Sequence, residues 1–437
     1  MPSAPLNVAI IGLGNVGTGV ARILTEQPDR IVRRAGRPIL VRKAVVRDTA
    51  KPRDLVLPPN ALTTDIDSVI NDPGIDVAVE LMGGLHPARE VVLRLLEAGK
   101  DVVTANKALI HEYGEEIFAV AHRLGRTVSF EAAVAGGIPI IAAVGQSLAA
   151  NQIVGLQAIL NGTSNFILSE MLQQQKSYAD ALAQAQALGY AEADPALDVD
   201  GTDAAQKLGI LVQLAFGVKV PTAAFHVSGI DRLEQSDITY AVSLGYTIKL
   251  LATARMSQGQ LQLSVRPTLV RAGQPLAQTH GPFNAVLLEG DVVGQVWFSG
   301  RGAGQMPTAS AVTADIIDLA IGRAQLTFRQ LDLWRSQPPF TVLPPAETSS
   351  RFYLHVTVQD RPHVMADVTH ILGKHGISLA SVIQPEAPEV DTSVETPTVP
   401  LIIMTHRTTC GQLAAAEAEL DQLTTVLPKR VVMAVAD

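Results

Sequence analysis

Asn7-Val8-Ala9-Ile10-Ile11-Gly12-Leu13-Gly14-Asn15-Val16-Gly17 is a short, β-branched apolar run that enters a glycine-rich turn, after which Val16, Val20, Ile23 and Leu24 recur at helical spacing. Strand, turn and helix in that order give G-x-G-x-x-G the context it needs as a dinucleotide loop. Gly12 permits the tight turn, Gly14 lets a pyrophosphate approach the backbone, and Gly17 lets helix and strand pack closely. The helix N-terminus at Asn15 and Val16 adds N–H donors and the positive end of the helix dipole. The second strand, residues 39–46, runs into Arg47, Asp48 and Lys51. Arg47 and Lys51 can pair with a 2′-phosphate, whereas Asp48 can take a ribose hydroxyl. The expected cofactor is therefore NADP or NAD, with NADP preferred.

Working outward, strands are expected at 77–81, 101–104 and 128–131, with a helix at 90–97 stopped by Gly99. This alternation predicts an α/β fold whose N-terminal domain, residues 1–150, is a Rossmann-like parallel sheet. Residues 151–321 change to longer helices (177–188, 202–216) and strands (261–267, 292–298), read as an α+β substrate and dimerisation domain. Residues 322–350, with the proline-rich stretch 338–345, read as a linker. From 351 to 437 the pattern is β-α-β-β-α-β, which is ferredoxin-like. Its first strand alternates, Phe352, Leu354, Val356 and Val358 facing one way and Tyr353, His355, Thr357 and Gln359 the other, as in a half-buried strand. The inner loop, 385–400, is polar and proline-rich and is expected to be mobile.

Composition narrows the function classes. With 437 residues, 47% hydrophobic and 17% charged, the chain is an ordinary folded protein of two or three domains. A net charge of -8 with no basic block argues against nucleic acid as a partner. The single cysteine, Cys410, excludes an intramolecular disulfide and a cysteine zinc cage, and fits a reducing compartment. No export signal is evident at residues 1–6, and the apolar stretch 132–150 is broken by Gly136, Gly137, Pro139 and Gly145. A cytoplasmic enzyme without a membrane partner is expected.

The most informative chemistry lies in residues 189–207, Gly-Tyr-Ala-Glu-Ala-Asp-Pro-Ala-Leu-Asp-Val-Asp-Gly-Thr-Asp-Ala-Ala-Gln-Lys. Five carboxylates fall between Glu192 and Asp203, and Asp203 and Lys207 share one helix face, with Asp200 or Thr202 able to cap the helix start. Read from Ala185 to Lys207, this spacing resembles the signature of the homoserine dehydrogenase family. Three further blocks resemble that family in the same order: Thr104-Ala105-Asn106-Lys107, residues 131–139, and Gly302-Ala303-Gly304 leading to Pro307-Thr308-Ala309.

The resemblance implies NAD(P)-dependent interconversion of L-homoserine and L-aspartate 4-semialdehyde, in threonine, methionine and isoleucine biosynthesis. It assigns Lys207 as acid/base with Lys107 as its partner, Glu192 and Asp203 to the substrate ammonium, and Asp198 to orienting a lysine or the substrate. Thr104, Lys107, Gly189 and Gly302 match cofactor contacts of the family. Glu131 with the carbonyls of Val134, Gly136 and Ile138 matches a monovalent-cation (sodium) site, and oxygen-only ligands suit a hard cation. Asp360-Arg361-Pro362-His363-Val364-Met365-Ala366 and Ser381-Val382-Ile383-Gln384 resemble an ACT domain, which implies L-threonine as effector and a homodimer or homotetramer. Many ACT domains carry glycine where this chain has His363. Two other readings are weaker. Aspartate semialdehyde dehydrogenase chemistry needs a nucleophilic cysteine, and Cys410 lies in the wrong domain. A non-catalytic nucleotide sensor has no use for Lys107, Asp203 and Lys207.

Overall fold

In the computed structural model, which describes residues 4–330, 340–385 and 397–436, the central strands at Leu6–Ile11 and Val77–Glu80 are buried on both faces, the pattern of a sheet covered by helices on each side. The strands β1 (Leu6–Ile11), β2 (Ile39–Val45), β3 (Leu62–Thr63), β4 (Val77–Glu80), β5 (Asp101–Thr104) and β6 (Val128–Ser129) are all parallel, in the order β3-β2-β1-β4-β5-β6. Strand order reverses between β1 and β4, the switch point outside which doubly wound sheets bind ligands. The expected last strand stops early, because Glu131–Ala133 turns into a 3-10 helix.

The chain divides into two compact units: residues 1–154, 206–220 and 284–339, and residues 155–205, 221–283 and 340–437. In the first unit, α1 (Asn15–Glu26) follows β1, α2 (Lys107–Leu124) follows β5, and α3 (Thr202–Phe216) enters at Gln206. α4 (Gln305–Ile321), on the segment read as part of the middle domain, packs on α1, and a Cβ at Gly19 would lie 2.9 Å from the Ala309 methyl. This two-unit division cuts the chain differently from the linear segments read in the sequence.

The second unit holds β7 (Ile153–Ile159), β8 (His226–Val227), β9 (Tyr246–Ser257), β10 (Gln260–Arg271), β11 (Ser349–Gln359), β12 (Leu379–Ile383), β13 (Thr398–Thr405) and β14 (Val426–Val435). The strands run in the order β7-β9-β10-β14-β11-β13-β12, with β8 also on β10. With α5 (Val364–Lys374) and α6 (Cys410–Leu420), the last four strands complete the expected β-α-β-β-α-β order around a core of Leu354, Val356, Val368, Leu372, Leu413 and Leu420. β10 and β14 pair in parallel, Thr268 opposite Ala434 and Leu269 opposite Val435, so the C-terminal sheet continues edge to edge into the middle strands.

The alternation of β11 misled in one respect. Its second face is buried as well at Tyr353 and His355, because Asp237 of helix Gln235–Ser243 lies against it. His355 Nδ1 is 2.7 Å from Asp237 Oδ1 and the Tyr353 hydroxyl donates to the same oxygen at 3.2 Å. Of the expected linker, residues 331–339 lie outside the described residues, whereas Thr341–Val342 pairs in parallel with Gln260 and Leu261 of β10 and Pro345–Glu347 is a 3-10 turn; most of the inner loop 385–400 falls on residues 386–396, also outside the described residues. Just before the first gap, Arg323–Gln330 is helical. Among the described residues no helix is long and apolar enough to cross a membrane; the stretch 132–150 is a 3-10 turn, a short helix at Ile140–Ala142 and a π-helical turn.

Candidate active site

The glycine loop sits at the carboxyl end of β1. Gly12 has φ +103°, and a Cβ there would lie 2.6 Å from the Leu81 carbonyl oxygen; a Cβ at Gly17 would lie 2.0 Å from the Gly12 carbonyl oxygen. These two positions exclude any side chain for reasons internal to the fold. Gly14 differs: nothing lies within 4 Å of a Cβ built there, and no side chain caps α1, which begins at Asn15. Gly14 and Asn15 are exposed, Val16 is half-buried, and the first-turn N–H groups open onto this space. Open space in front of an uncapped helix N-terminus fits a pyrophosphate.

Beyond β2, Arg47, Asp48 and Lys51 are all exposed. The Asp48 carboxylate accepts the Ala50 N–H at 2.8 Å and closes its own turn. Arg53, which sequence reading passed over, donates to the Asp48 and Lys51 carbonyls and braces the loop.

At the ends of β4 and β5 the polar groups are interlocked. The buried Thr104 hydroxyl donates to Glu80 Oε2 at 2.7 Å and accepts the Asn106 N–H, while Glu80 Oε1 accepts the N–H groups of Met82 and Gly83. Burial pushes the Glu80 carboxyl up, against these hydrogen bonds. Thr104 thus braces the crevice with its hydroxyl already engaged. Asn106 caps α2 by accepting the Leu109 N–H, which sets Lys107 at the first position of that helix.

α3 lies beside α2. A Cβ at Gly209 would lie 2.6 Å from the His111 imidazole, and further along Lys219 reaches the Glu112 carbonyl at 3.4 Å and Glu115 at 3.7 Å. The Val220 carbonyl also lies 3.5 Å from a Cβ built at Gly209, so the segment after α3 folds back beside the same contact. Lys107 lies one turn before His111 on α2, and Lys207 lies two residues before Gly209 on α3, so each lysine is within a turn of this contact in sequence.

In the second unit the carboxylates converge on a residue not singled out in the sequence. Asn161 Nδ2 donates to Asp198 Oδ1 at 2.8 Å and to Asp203 Oδ2 at 2.9 Å, while its Oδ1 accepts the Ser164 N–H and caps helix Gly162–Gln174. The Ser164 hydroxyl holds the Asp198 carbonyl at 2.7 Å. Asp203 is buried, Asp198 half-buried, and Glu192 and Gly189 are exposed. Asp200 Oδ1 accepts the Thr202 N–H at 2.7 Å, the cap expected at the start of α3. An amide that restrains two carboxylates holds their negative charge in a fixed place, which suits an ammonium ligand.

Over 96% of its length the chain is 44% identical to the homoserine dehydrogenase of Pseudomonas aeruginosa, 96% of which is covered. The chain belongs to the homoserine dehydrogenase family. The family models match in three pieces: the NAD-binding domain of homoserine dehydrogenase at residues 12–131, homoserine dehydrogenase at 139–317, and an ACT domain at 352–424. The homoserine dehydrogenase of Neisseria gonorrhoeae is 41% identical, with 96% of each chain covered. A solved homoserine dehydrogenase from Thiobacillus denitrificans superimposes with a TM-score of 0.89 at 42% identity, covering 99% of both chains. The activity of the family is that of an NAD(P)-dependent oxidoreductase, and the Rossmann-like sheet and ACT domain expected from sequence are both present.

Residues of two further sequence blocks, 302–304 and 131–139, are packed closely. Gly302 is buried, with the Asn284 amide 2.0 Å from where its Cβ would lie, and a Cβ at Gly136 would meet the Gly302 carbonyl at 2.4 Å. Glu131 is buried, and its two oxygens accept the N–H groups of Ile141 at 2.9 Å and Ala142 at 2.8 Å, a carboxylate at the start of a helical turn. The Ile138 carbonyl accepts the Ile140 N–H at 2.8 Å. Glu131 thus has a structural task that its sequence block did not reveal.

The contrast among the loop glycines has a measurable consequence. Gly14→Ala is expected to leave the thermal midpoint of the ligand-free protein unchanged and to raise the dinucleotide Kd about tenfold, by crowding the pyrophosphate. Gly17→Ala is expected to lose the fold itself. Equal losses of stability in the two variants, by thermal melt and fluorescence titration, would contradict this division.

Proposed function

We propose that the chain interconverts L-homoserine and L-aspartate 4-semialdehyde with Lys207 as the acid/base and Lys107 beside it. The Asn161 amide that fixes Asp198 and the buried Asp203 one turn from Lys207 on the same helix supports this reading most strongly. NAD(P), when bound, would supply the hydride acceptor for the carbinol carbon and, in the reverse direction, the hydride donor for the aldehyde carbon. Lys207 takes the hydroxyl proton as the alcohol is oxidised and returns it to the oxygen on reduction. Asp203, one helical turn from Lys207, and Glu192 hold the substrate ammonium; Asp198, tied to Asp203 through Asn161, keeps that charge in position. Thr104 and Lys107 support the cofactor at the strand ends, with Gly189 and Gly302 as further backbone contacts.

We assign the preference to NADP, because Asp48 is turned into its own loop while Arg47 and Lys51 stay exposed. A hyperthermophilic archaeal homoserine dehydrogenase solved with NADPH matches with a TM-score of 0.61 at 27% identity. We read the chain as four linear parts: cofactor domain 1–150, substrate and dimerisation domain 151–321, connecting segment 322–350 and ACT domain 351–437. Threonine acts through the ACT domain of a dimer or tetramer, within threonine, methionine and isoleucine biosynthesis in the cytoplasm. His363 supports a tuned ligand turn, because its φ of +75° is a left-handed conformation that favours glycine. Initial rates with homoserine, comparing NADP with NAD and with or without threonine, test these assignments. NADP is expected to give the larger kcat/KM, and the double change Arg47→Ala, Lys51→Ala to erase the difference. A wild-type rate indifferent to threonine contradicts the feedback role.

A sodium ion on Glu131 and the carbonyls of Val134, Gly136 and Ile138 makes a separate prediction. Burial pushes the Glu131 carboxyl up to about 7, against the N–H groups of Ala142 and Ile141. The unfolded value is about 4.3, so the folded state holds the extra proton between these values and stability falls as pH rises through that window. Above pH 7 the buried carboxylate is charged, and a cation offsets it. Sodium, exchanged against choline at constant ionic strength, is expected to raise the melting temperature at pH 8 in wild type and not in Glu131→Gln. The same response in both proteins places the ion elsewhere.

A further inference from the structure

The second unit contains a cavity of about 1310 Å³ between β8 and β10 on one side and α6 with β14 on the other. Its wall includes His226, Asp231, Arg266, Cys410, Glu417 and Arg430. Arg430 is compensated, with Nε 3.6 Å from Glu417 and a second nitrogen on Asp421. Arg266, on β10, is not. It is 7% exposed, its Nε has no hydrogen-bond partner, and its polar contact is a weak one from Nη1 to Cys410 Sγ at 3.4 Å. Its guanidinium lies 5.3 Å from the Phe352 ring centroid, and no carboxylate among the described residues pairs with it.

Two features make this charge more costly. A buried guanidinium without a counter-charge is strongly disfavoured, because its hydration is lost and no ion pair replaces it. Cys410 is also the first residue of α6, so Arg266 adds a cation to the positive end of a helix dipole, the end that favours anions. Burial, and then the Arg266 charge, hold the nearby His226 imidazole below its ordinary range. The cavity therefore has an uncompensated positive pole, while Asp231 and Glu417 elsewhere on its wall disfavour a second negative charge on any occupant.

We propose that this cavity binds a small monocarboxylate on Arg266 at the N-terminus of α6. The site joins β10 to the C-terminal module, and it is distinct from the turn at residues 360–366 where α5 begins. An occupant there bridges the middle strands and the helix of the regulatory module through one charge-assisted contact.

The test uses the full-length protein, with acetate, L-alanine and the dianion malonate titrated against chloride at constant ionic strength, followed by calorimetry and thermal unfolding. The expected result is saturable binding of acetate or L-alanine with a rise in melting temperature, weaker binding of malonate, and at least a tenfold weaker Kd in Arg266→Gln. Ligand-free Arg266→Met, which replaces the charge with an apolar chain of similar length, is expected to melt at or above wild type with homoserine oxidation retained. The proposal is overturned if neither monocarboxylate saturates in wild type, or if Arg266→Gln binds them equally well. It is also overturned if Arg266→Met unfolds or melts well below wild type, because the guanidinium would then be compensated already.

Discussion

Lys207→Ala is expected to lower kcat by about 10²–10⁴, the usual contribution of a positioned acid/base. The reason lies in what the residue carries out at the hydroxyl oxygen: hydride departure without a proton acceptor leaves charge on the oxygen in the transition state. Lys207→Arg separates proton transfer from simple charge, since a guanidinium keeps the cation but does not release a proton at neutral pH. It is expected to be nearly as slow as the alanine variant. The change should fall on kcat with little effect on dinucleotide Kd, because the proposed task of Lys207 is at the hydroxyl proton and not at the pyrophosphate. A wild-type kcat in Lys207→Ala, or full rescue by arginine, would contradict the assignment.

The largest expected effect on stability is at His355. Asp237 is fully buried, and its carboxylate is held by His355 Nδ1, the Tyr353 hydroxyl and the Glu234 N–H. Burial, and then the Asp237 charge, push the Tyr353 phenol up, so it remains a donor. His355→Ala removes the shortest of these contacts from a group with no access to water. Breaking a buried pair by removing one partner costs about 3–5 kcal/mol. Because Asp237 belongs to helix Gln235–Ser243 and His355 to β11, the loss should loosen the C-terminal strands from the middle of the unit. Urea unfolding measures it. The double variant His355→Leu, Asp237→Leu is expected to recover much of the loss, since an apolar pair has no unpaired charge. A cost under about 1 kcal/mol for His355→Ala would mean that water reaches the carboxylate.

The N-terminal sheet was legible because its strands are short apolar runs separated by helix periodicity and glycine stops, and β5 emerged at residues 101–104 as read. The β-α-β-β-α-β order of the C-terminal module was legible for the same reason. What sequence could not supply was lateral contact. Alternation in β11 placed Tyr353 and His355 on one face but said nothing of Asp237 from residues more than a hundred positions away. Gly209 carries no local signal, since its meaning lies in the approach of His111 on another helix. β7 was missed because a short apolar run reads equally well as buried helix, and the twelve-residue β9 was not singled out although Gly245 and Gly259 bound it.

Within the site, the catalytic candidates came from spacing, and the groups that hold them did not. Asn161 was readable as a helix cap, an asparagine between the apolar strand β7 and Gly162-Thr163-Ser164, yet its bridge between Asp198 and Asp203 needs the fold. Glu80 ends a strand and looks like a solvent-facing acid, but it is buried beneath Thr104. Glu131 was read through its family block as a cation ligand, while its two hydrogen bonds to a helical turn depend on Ile141 and Ala142 folding back over it.

The most direct test of Lys207 as the proton-transfer group isolates the chemical step from product release. Enzyme preloaded with NADPH is mixed rapidly with L-aspartate 4-semialdehyde, and a single turnover is followed by loss of nicotinamide absorbance. Rapid single-turnover loss of NADPH in wild type, slowed in Lys207→Ala by at least the factor seen in kcat and with NADPH affinity retained, is the predicted result. Hydride transfer at the wild-type rate in Lys207→Ala would contradict it.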